Sequence, residues 1–181
     1  MCFGSQFLIN LVEGFLDMTD IGQIERALEG GTMKQLRTVS NIIRKRRMFC
    51  VSPDDMARQA CKVMTNRKVG ALPVLDDTGT LVGVISERDI VRRCIGVKRK
   101  TANTAIRDVM TPDPLVAKAD DSIVVAIAVM MQNNIRHLPV LENGVVIGMI
   151  SIREVVSELS TLAVQNLGLT TLAGQTKMEL A

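Results

Sequence analysis

The segment KVGALPVLDDTGTLVGVISERDIV at residues 68–91 returns at 134–156 as NIRHLPVLENGVVIGMISIREVV. Pro73 aligns with Pro139, Gly83 with Gly148, Ser86 with Ser151 and Arg88 with Arg153. The offset is 66 at the prolines and 65 at the serines, because the second turn is one residue shorter. Upstream, Asp54 and Asp55 recur as Asp120 and Asp121 at the same offset of 66. A duplication of this extent means that one supersecondary unit is used twice. At roughly 55 residues, each unit is too small to bury a sufficient core alone. The two are therefore expected to pack sheet against sheet about a pseudo-twofold axis.

Both copies carry the same succession of signals. The apolar runs at 49–51 and 115–117 each predict a short first strand. Ser52, Asp54 and Asp55 in one copy, and Asp120, Asp121 and Ser122 in the other, supply caps and early-turn carboxylates for helices predicted over 56–67 and 123–133. Ala60, Val63 and Met64 mark the inward face of the first helix, and Ala126, Ile127, Met130 and Met131 that of the second. Strands follow at 72–75 and 81–85, and again at 138–141 and 145–150. Their connections contain Asp-Thr-Gly and Asn-Gly, both hairpin signals. Ser86 and Ser151 then open a last helix as N-caps.

The expected fold class is α+β: two β-α-β-β-α repeats about a pseudo-twofold axis, with an extra N-terminal helix. Residues 1–33 form the N-terminal helical extension, 34–97 the first repeat, 104–160 the second, and 161–181 a C-terminal helix extension and tail. In the extension, Phe7, Leu8, Leu11 and Phe15 share one face at helical spacing, which predicts a helix packed on the body or on a second subunit. That run is too short to span a bilayer, and nothing on its polar face is basic.

Composition limits the chemistry. The four cysteines (Cys2, Cys50, Cys61 and Cys94) are scattered and there is one His, so no metal-ligand spacing exists and no metal is expected. Free thiols without a secretory signal read as cytoplasmic. A net charge of +3 does not imply a polyanionic partner. The basic runs at 44–47 and 98–100 read as solvated loops.

The sequence from Gly83 to Asp89 (GVISERD) carries the most chemistry. A strand ends, a glycine permits close approach, and a Ser and a carboxylate three residues apart sit at a helix start. A helix N-terminus suits a polar or anionic ligand, and a carboxylate there accepts both hydroxyls of a ribose. Read from the residues alone, the plainer account is a capping box in which Ser86 caps the helix and Asp89 folds back onto it.

In combination, Val109-Met-Thr111, Ile135-Arg-His-Leu-Pro-Val140, the residues 83–89 and 148–154, and the order of elements resemble a tandem pair of CBS domains, the Bateman module, of the stand-alone bacterial type. The resemblance covers about residues 38–159. It implies two clefts for adenine nucleotides: AMP above all, or ADP, ATP, NAD or S-adenosylmethionine. The family's ribose-binding positions fall on Ser86 and Asp89 in the first repeat, and on Ser151 and Glu154 in the second, where Glu sets the charge one methylene further out. The phosphate-facing positions fall on Arg136, His137 and Arg153 for the Asp89 cleft and on Arg88, with Arg136 as a further candidate, for the Glu154 cleft, which is poorer in charge. Thr111 and Leu115 would line the base pocket of the first. Unequal clefts are expected.

The resemblance implies a non-catalytic nucleotide sensor that forms a homodimer and acts on a separate effector protein. Two other classes remain open. An enzyme would need a nucleophile and base, and the single His lies with Arg136 in the proposed phosphate site. Nucleic-acid binding could use the basic loops, but single-strand platforms stack bases on aromatics, and three of the four Phe residues lie in the N-terminal extension.

Overall fold

A computed structural model describes residues 38–43 and 47–167. The expected N-terminal helix, the tail after residue 167 and most of the 44–47 basic run lie outside the described residues.

The chain forms helix α1 (Val39–Ile43), α2 (Ala57–Arg67), strands β1 (Ala71–Leu75) and β2 (Leu81–Ser86), and a helical turn α3 (Glu87–Asp89). The turn continues as a π-helical segment, Ile90–Ile95. A 3₁₀ turn (Ile106–Asp108) leads to β3 (Thr111–Pro112), β4 (Ala117–Lys118), α4 (Ile123–Gln132), β5 (His137–Glu142), β6 (Val145–Ser151) and α5 (Ile152–Leu167). The strands make two three-stranded sheets, β1-β2-β3 and β4-β5-β6.

The turn chemistry follows the residues. Asn143 and Gly144 adopt φ of 52° and 80°, the paired left-handed geometry of a tight hairpin. Asp76 organises the longer first turn, where its Oδ1 accepts from Thr78 N, Thr80 N and Thr78 Oγ1. These bonds favour the ionised form and hold the Asp76 carboxyl below its usual value. Helices α2 and α4 are each followed by a left-handed residue, Lys68 at φ 55° and Asn134 at φ 52°, related by the 66-residue offset.

Two expectations need correction. The first strands are shorter and later than the apolar runs: Val51 makes a single bridge to Val74, and the second copy's strand starts at Ala117. Leu115 and Val116 are 48% and 40% exposed. Inward-facing Ala126 and Met130 are buried, but Met131 is 49% exposed, because the apolar face of α4 is wider than the surface it packs on.

Each sheet packs under its helices into its own core. One core contains Val51, Ala60, Met64, Leu72, Val74 and Ile85; the other contains Ile123, Met130, Leu138, Val140 and Ile150. Their membership shows a crossing that periodicity does not reveal. Val39 and Ile43, which open the first repeat, are buried in the second core, while Ile106 and Val109, which open the second, are buried in the first. The hydrogen bonds repeat the exchange. Val39 N donates to Asp121 O and Ser40 N to Ala119 O; Ile106 N donates to Asp55 O and Arg107 N to Pro53 O. Thr38 bridges Ser122 as Ala105 bridges Met56. These pairs are the pseudo-twofold axis written in hydrogen bonds, and they give each unit the core it lacks alone.

The crossing explains the motif glycines. A Cβ on Gly83 would lie 2.5 Å from Met110 Sδ and 3.0 Å from Thr111 O, whereas one on Gly148 would meet Ile43 Cδ1 at 3.4 Å. The close approach expected at Gly83 is therefore that of the crossing segment. Gly83→Ala should cost about 1–3 kcal/mol, as overpacking does, because the Met110 side chain can move but the backbone paired to β2 cannot. Gly148→Ala should stay within about 0.5 kcal/mol. Urea unfolding of both variants checks this, and equal shifts would show that the approach at Gly83 is relaxed at no cost.

Candidate functional site

Ser86 ends β2 and caps α3. Its N and Oγ donate to Asp89 Oδ2 at 2.9 and 2.5 Å, and Asp89 N donates back to Ser86 Oγ at 3.3 Å. The capping box read from the sequence is present. It uses only one carboxylate oxygen. Asp89 Oδ1 receives Thr111 Oγ1 at 3.4 Å and faces Arg93 Nη1 at 3.5 Å, both longer than a well-formed hydrogen bond. Thr111 reaches Asp89 because β3 belongs to the crossing segment and pairs with Val84. Ser86, Asp89 and Thr111 are thus brought together as expected. Arg93 was missed; its only sequence signal is its spacing four residues after Asp89 on a helix.

The second motif closes in the same way. Ser151 N and Oγ both donate to Glu154 Oε2 at 2.7 Å, and Glu154 N donates to Ser151 Oγ at 3.4 Å. The extra methylene of Glu154 is taken up in folding back onto the cap. By the 65-residue offset, the position of Arg93 is taken by Glu158.

The basic residues meet at the junction of the repeats. Arg88 Nη1 donates to Asn134 O at 3.1 Å, across the two units. His137 starts β5 opposite Ser151, and its ring fills the space beside Gly70, where a Cβ would lie 3.2 Å from Cε1 and Nε2. Burial first, and then the charges of Arg136, Arg153 and Arg88, lower its pKa from 6.5 to about 4. His137 is therefore neutral at pH 7. The charges of all three guanidinium groups thus act on one imidazole. Arg136 and Arg153 are exposed, and neither guanidinium forms an ion pair or hydrogen bond among the described residues. Leu115 lies between β3 and β4, largely exposed, and no described contact joins it to Thr111 or Asp89.

A separate open depression of about 660 Å³ is lined by Arg99, Lys100, Asn103, Thr104 and Asp108 on the linker between the repeats. It includes none of the residues above, and its buried Thr104 hydroxyl is already bonded to Lys100 O. The Ser86–Asp89–Thr111 group has the better chemistry, because it combines hydroxyls with a carboxylate oxygen held only by long contacts. Among the described residues no metal-binding cluster exists, and no helix is long and apolar enough to cross a membrane.

Comparison with known proteins agrees with this architecture. A solved protein with CBS domains from Burkholderia ambifaria is 29% identical, covers 74% of this chain and 100% of its own, and superposes with a TM-score of 0.65. The plant protein CBSX2, solved in complex with AMP, is 27% identical with a TM-score of 0.59 over 69% of this chain and 97% of its own. The CBS domain-containing protein CBSCBSPB1 of Arabidopsis thaliana is 37% identical over 94 residues, which is 52% of this chain but only 17% of that protein. The family model described as CBS domain matches residues 39–96 and 106–161, the two halves related here by the crossing hydrogen bonds, and the chain belongs to the CBS-domain family as a tandem pair.

Proposed function

We propose that this CBS pair is a non-catalytic sensor of adenine nucleotides, with AMP as the favoured ligand and ADP, ATP, NAD and S-adenosylmethionine as members of the same class. The observation that carries the reading is the Ser86–Asp89–Thr111 group, in which Asp89 Oδ1 is held only by long contacts, together with the exposed guanidiniums of Arg136 and Arg153 supplied by the other repeat. The carboxylate and hydroxyls suit a ribose, and the guanidiniums suit a phosphate. The complex of CBSX2 with AMP supports the ligand class. A ligand held by Asp89 from one repeat and by Arg136 and Arg153 from the other would bias the angle between them, which is the elementary requirement of a switch. The output passes to a separate effector protein.

The protein is proposed to assemble as a homodimer. Val91 and Ile95, 57% and 59% exposed, and Val156, 48% exposed, offer apolar side chains on the two motif helices for a second copy. Nucleic-acid binding is not favoured, because the one aromatic ring outside the N-terminal extension, Phe49, is covered by Arg67 at 4.4 Å.

Calorimetric titration with AMP and adenosine tests the reading, with light scattering on the same samples. AMP should bind at least about 10-fold more tightly, as charge-assisted bonds to phosphate require, and the mass should be that of two chains. Equal affinity for AMP and adenosine would remove the arginines from the site, and a monomer at micromolar concentration would remove the dimer.

A further inference from the structure

Arg93 joins the Asp89 carboxylate to the backbone of the crossing segment. Its Nη1 donates to Met110 O at 2.5 Å and to Val109 O at 3.3 Å, and stands 3.5 Å from Asp89 Oδ1. One nitrogen with two hydrogens therefore serves three acceptors. The short bond to Met110 takes one hydrogen, and Val109 and Asp89 share the other, so the bond to Asp89 is the easiest to give up.

The duplication has diverged at this point in backbone as well as charge. Arg93 lies within the π-helical segment Ile90–Ile95, where Gly96 N reaches back to Val91 O, whereas the equivalent stretch of α5 is an ordinary α-helix. The residue corresponding to Arg93 is Glu158. Short π segments inside helices occur frequently at functional sites.

We propose that Arg93 is a positioning residue that sets the ribose affinity of the Asp89 cleft. Without nucleotide it occupies Asp89 Oδ1 and clamps the Val109 and Met110 carbonyls. With nucleotide, a ribose hydroxyl takes Oδ1 from it while the bond to Met110 remains. A hydroxyl bonded to a carboxylate is a short, charge-assisted contact, whereas a 3.5 Å ion pair with a half-exposed Arg93 is weak. The inference rests on the adenine-nucleotide reading given above.

Calorimetry on Arg93→Met with AMP and 2′,3′-dideoxy-AMP tests it. Met keeps the apolar stem and removes the competing donor. AMP should bind about two- to five-fold more tightly to the variant, the range an exposed ion pair allows. The dideoxy analogue should be unaffected, since it has no hydroxyl to claim Oδ1. Arg93→Lys, which keeps a cation, should return AMP affinity toward that of the natural protein. An unchanged or weakened AMP affinity, or an equal shift for both ligands, would overturn the role given to Arg93 and leave the nucleotide site standing. Failure of the natural protein to bind AMP at all would overturn the nucleotide reading and this inference together.

Discussion

Asp89→Ala should weaken AMP binding about 10- to 150-fold, the loss expected when hydrogen bonds to a charged group, worth about 1.5–3 kcal/mol, are removed. The fold should survive. Asp89 closes a capping box at the start of a three-residue helical turn, and losing a cap costs about 1 kcal/mol. Asp89→Asn separates the two roles: it can still accept from Ser86, so stability should recover more than affinity. Glu154→Ala should change AMP affinity less than about 3-fold. The two caps have nearly the same geometry, with carboxylate contacts of 2.5–2.9 Å at Ser86 and 2.7 Å at Ser151, so cap geometry does not separate the clefts. Charge does. Four residues after Glu154 stands Glu158, a second carboxylate that disfavours an anionic ligand. Calorimetric titration of the three variants decides the order. If Glu154→Ala abolished binding while Asp89→Ala left it intact, the Ser86–Asp89 pair would be a helix cap and nothing more.

His137 should make the protein progressively less stable on acidification. Its folded pKa of about 4 lies below the ordinary value of 6.5. Above pH 6.5 the imidazole is neutral in both folded and unfolded chains and contributes no pH dependence. Below 6.5 the unfolded chain takes up a proton that the folded chain refuses, so stability falls as pH falls until the folded pKa is reached. The slope is about 1.4 kcal/mol per pH unit, and the loss approaches about 3 kcal/mol at pH 4. Urea unfolding of natural and His137→Gln protein between pH 7 and 4.5 isolates this contribution. The natural protein should lose about 2–3 kcal/mol more than the variant. Parallel curves would mean that the ring is solvated and titrates normally. AMP should reduce the difference, because a phosphate beside Arg88, Arg136 and Arg153 offsets the charges that help hold His137 neutral.

Much of this protein is legible from local signals. The duplication, the hairpin turns at Asn143-Gly144 and after Asp76, the helices α2 and α4, and the caps at Ser86 and Ser151 depend on residues close together in the chain. Short-range sterics and hydrogen bonding determine them wherever the segment goes. The presence of two interdependent units also follows from the duplication and the small size of each copy, which is too short to bury a sufficient core by itself. Tertiary structure decided the rest. Nothing in the periodicity of residues 39–43 or 106–109 says that each opens its repeat by packing into the other one. The same apolar side chains would suit either core, and only the symmetry of the assembled pair selects the exchange. The crossing gives Gly83 its steric role, brings Thr111 to Asp89 and offers Arg93 the carbonyls of Val109 and Met110. Likewise, the sequence marks Arg88, Arg136, His137 and Arg153 as polar groups near strand and helix ends. That the three guanidinium charges act on one neutral imidazole comes from the junction of the two repeats, because burial and the field of distant charges are properties of the packed whole.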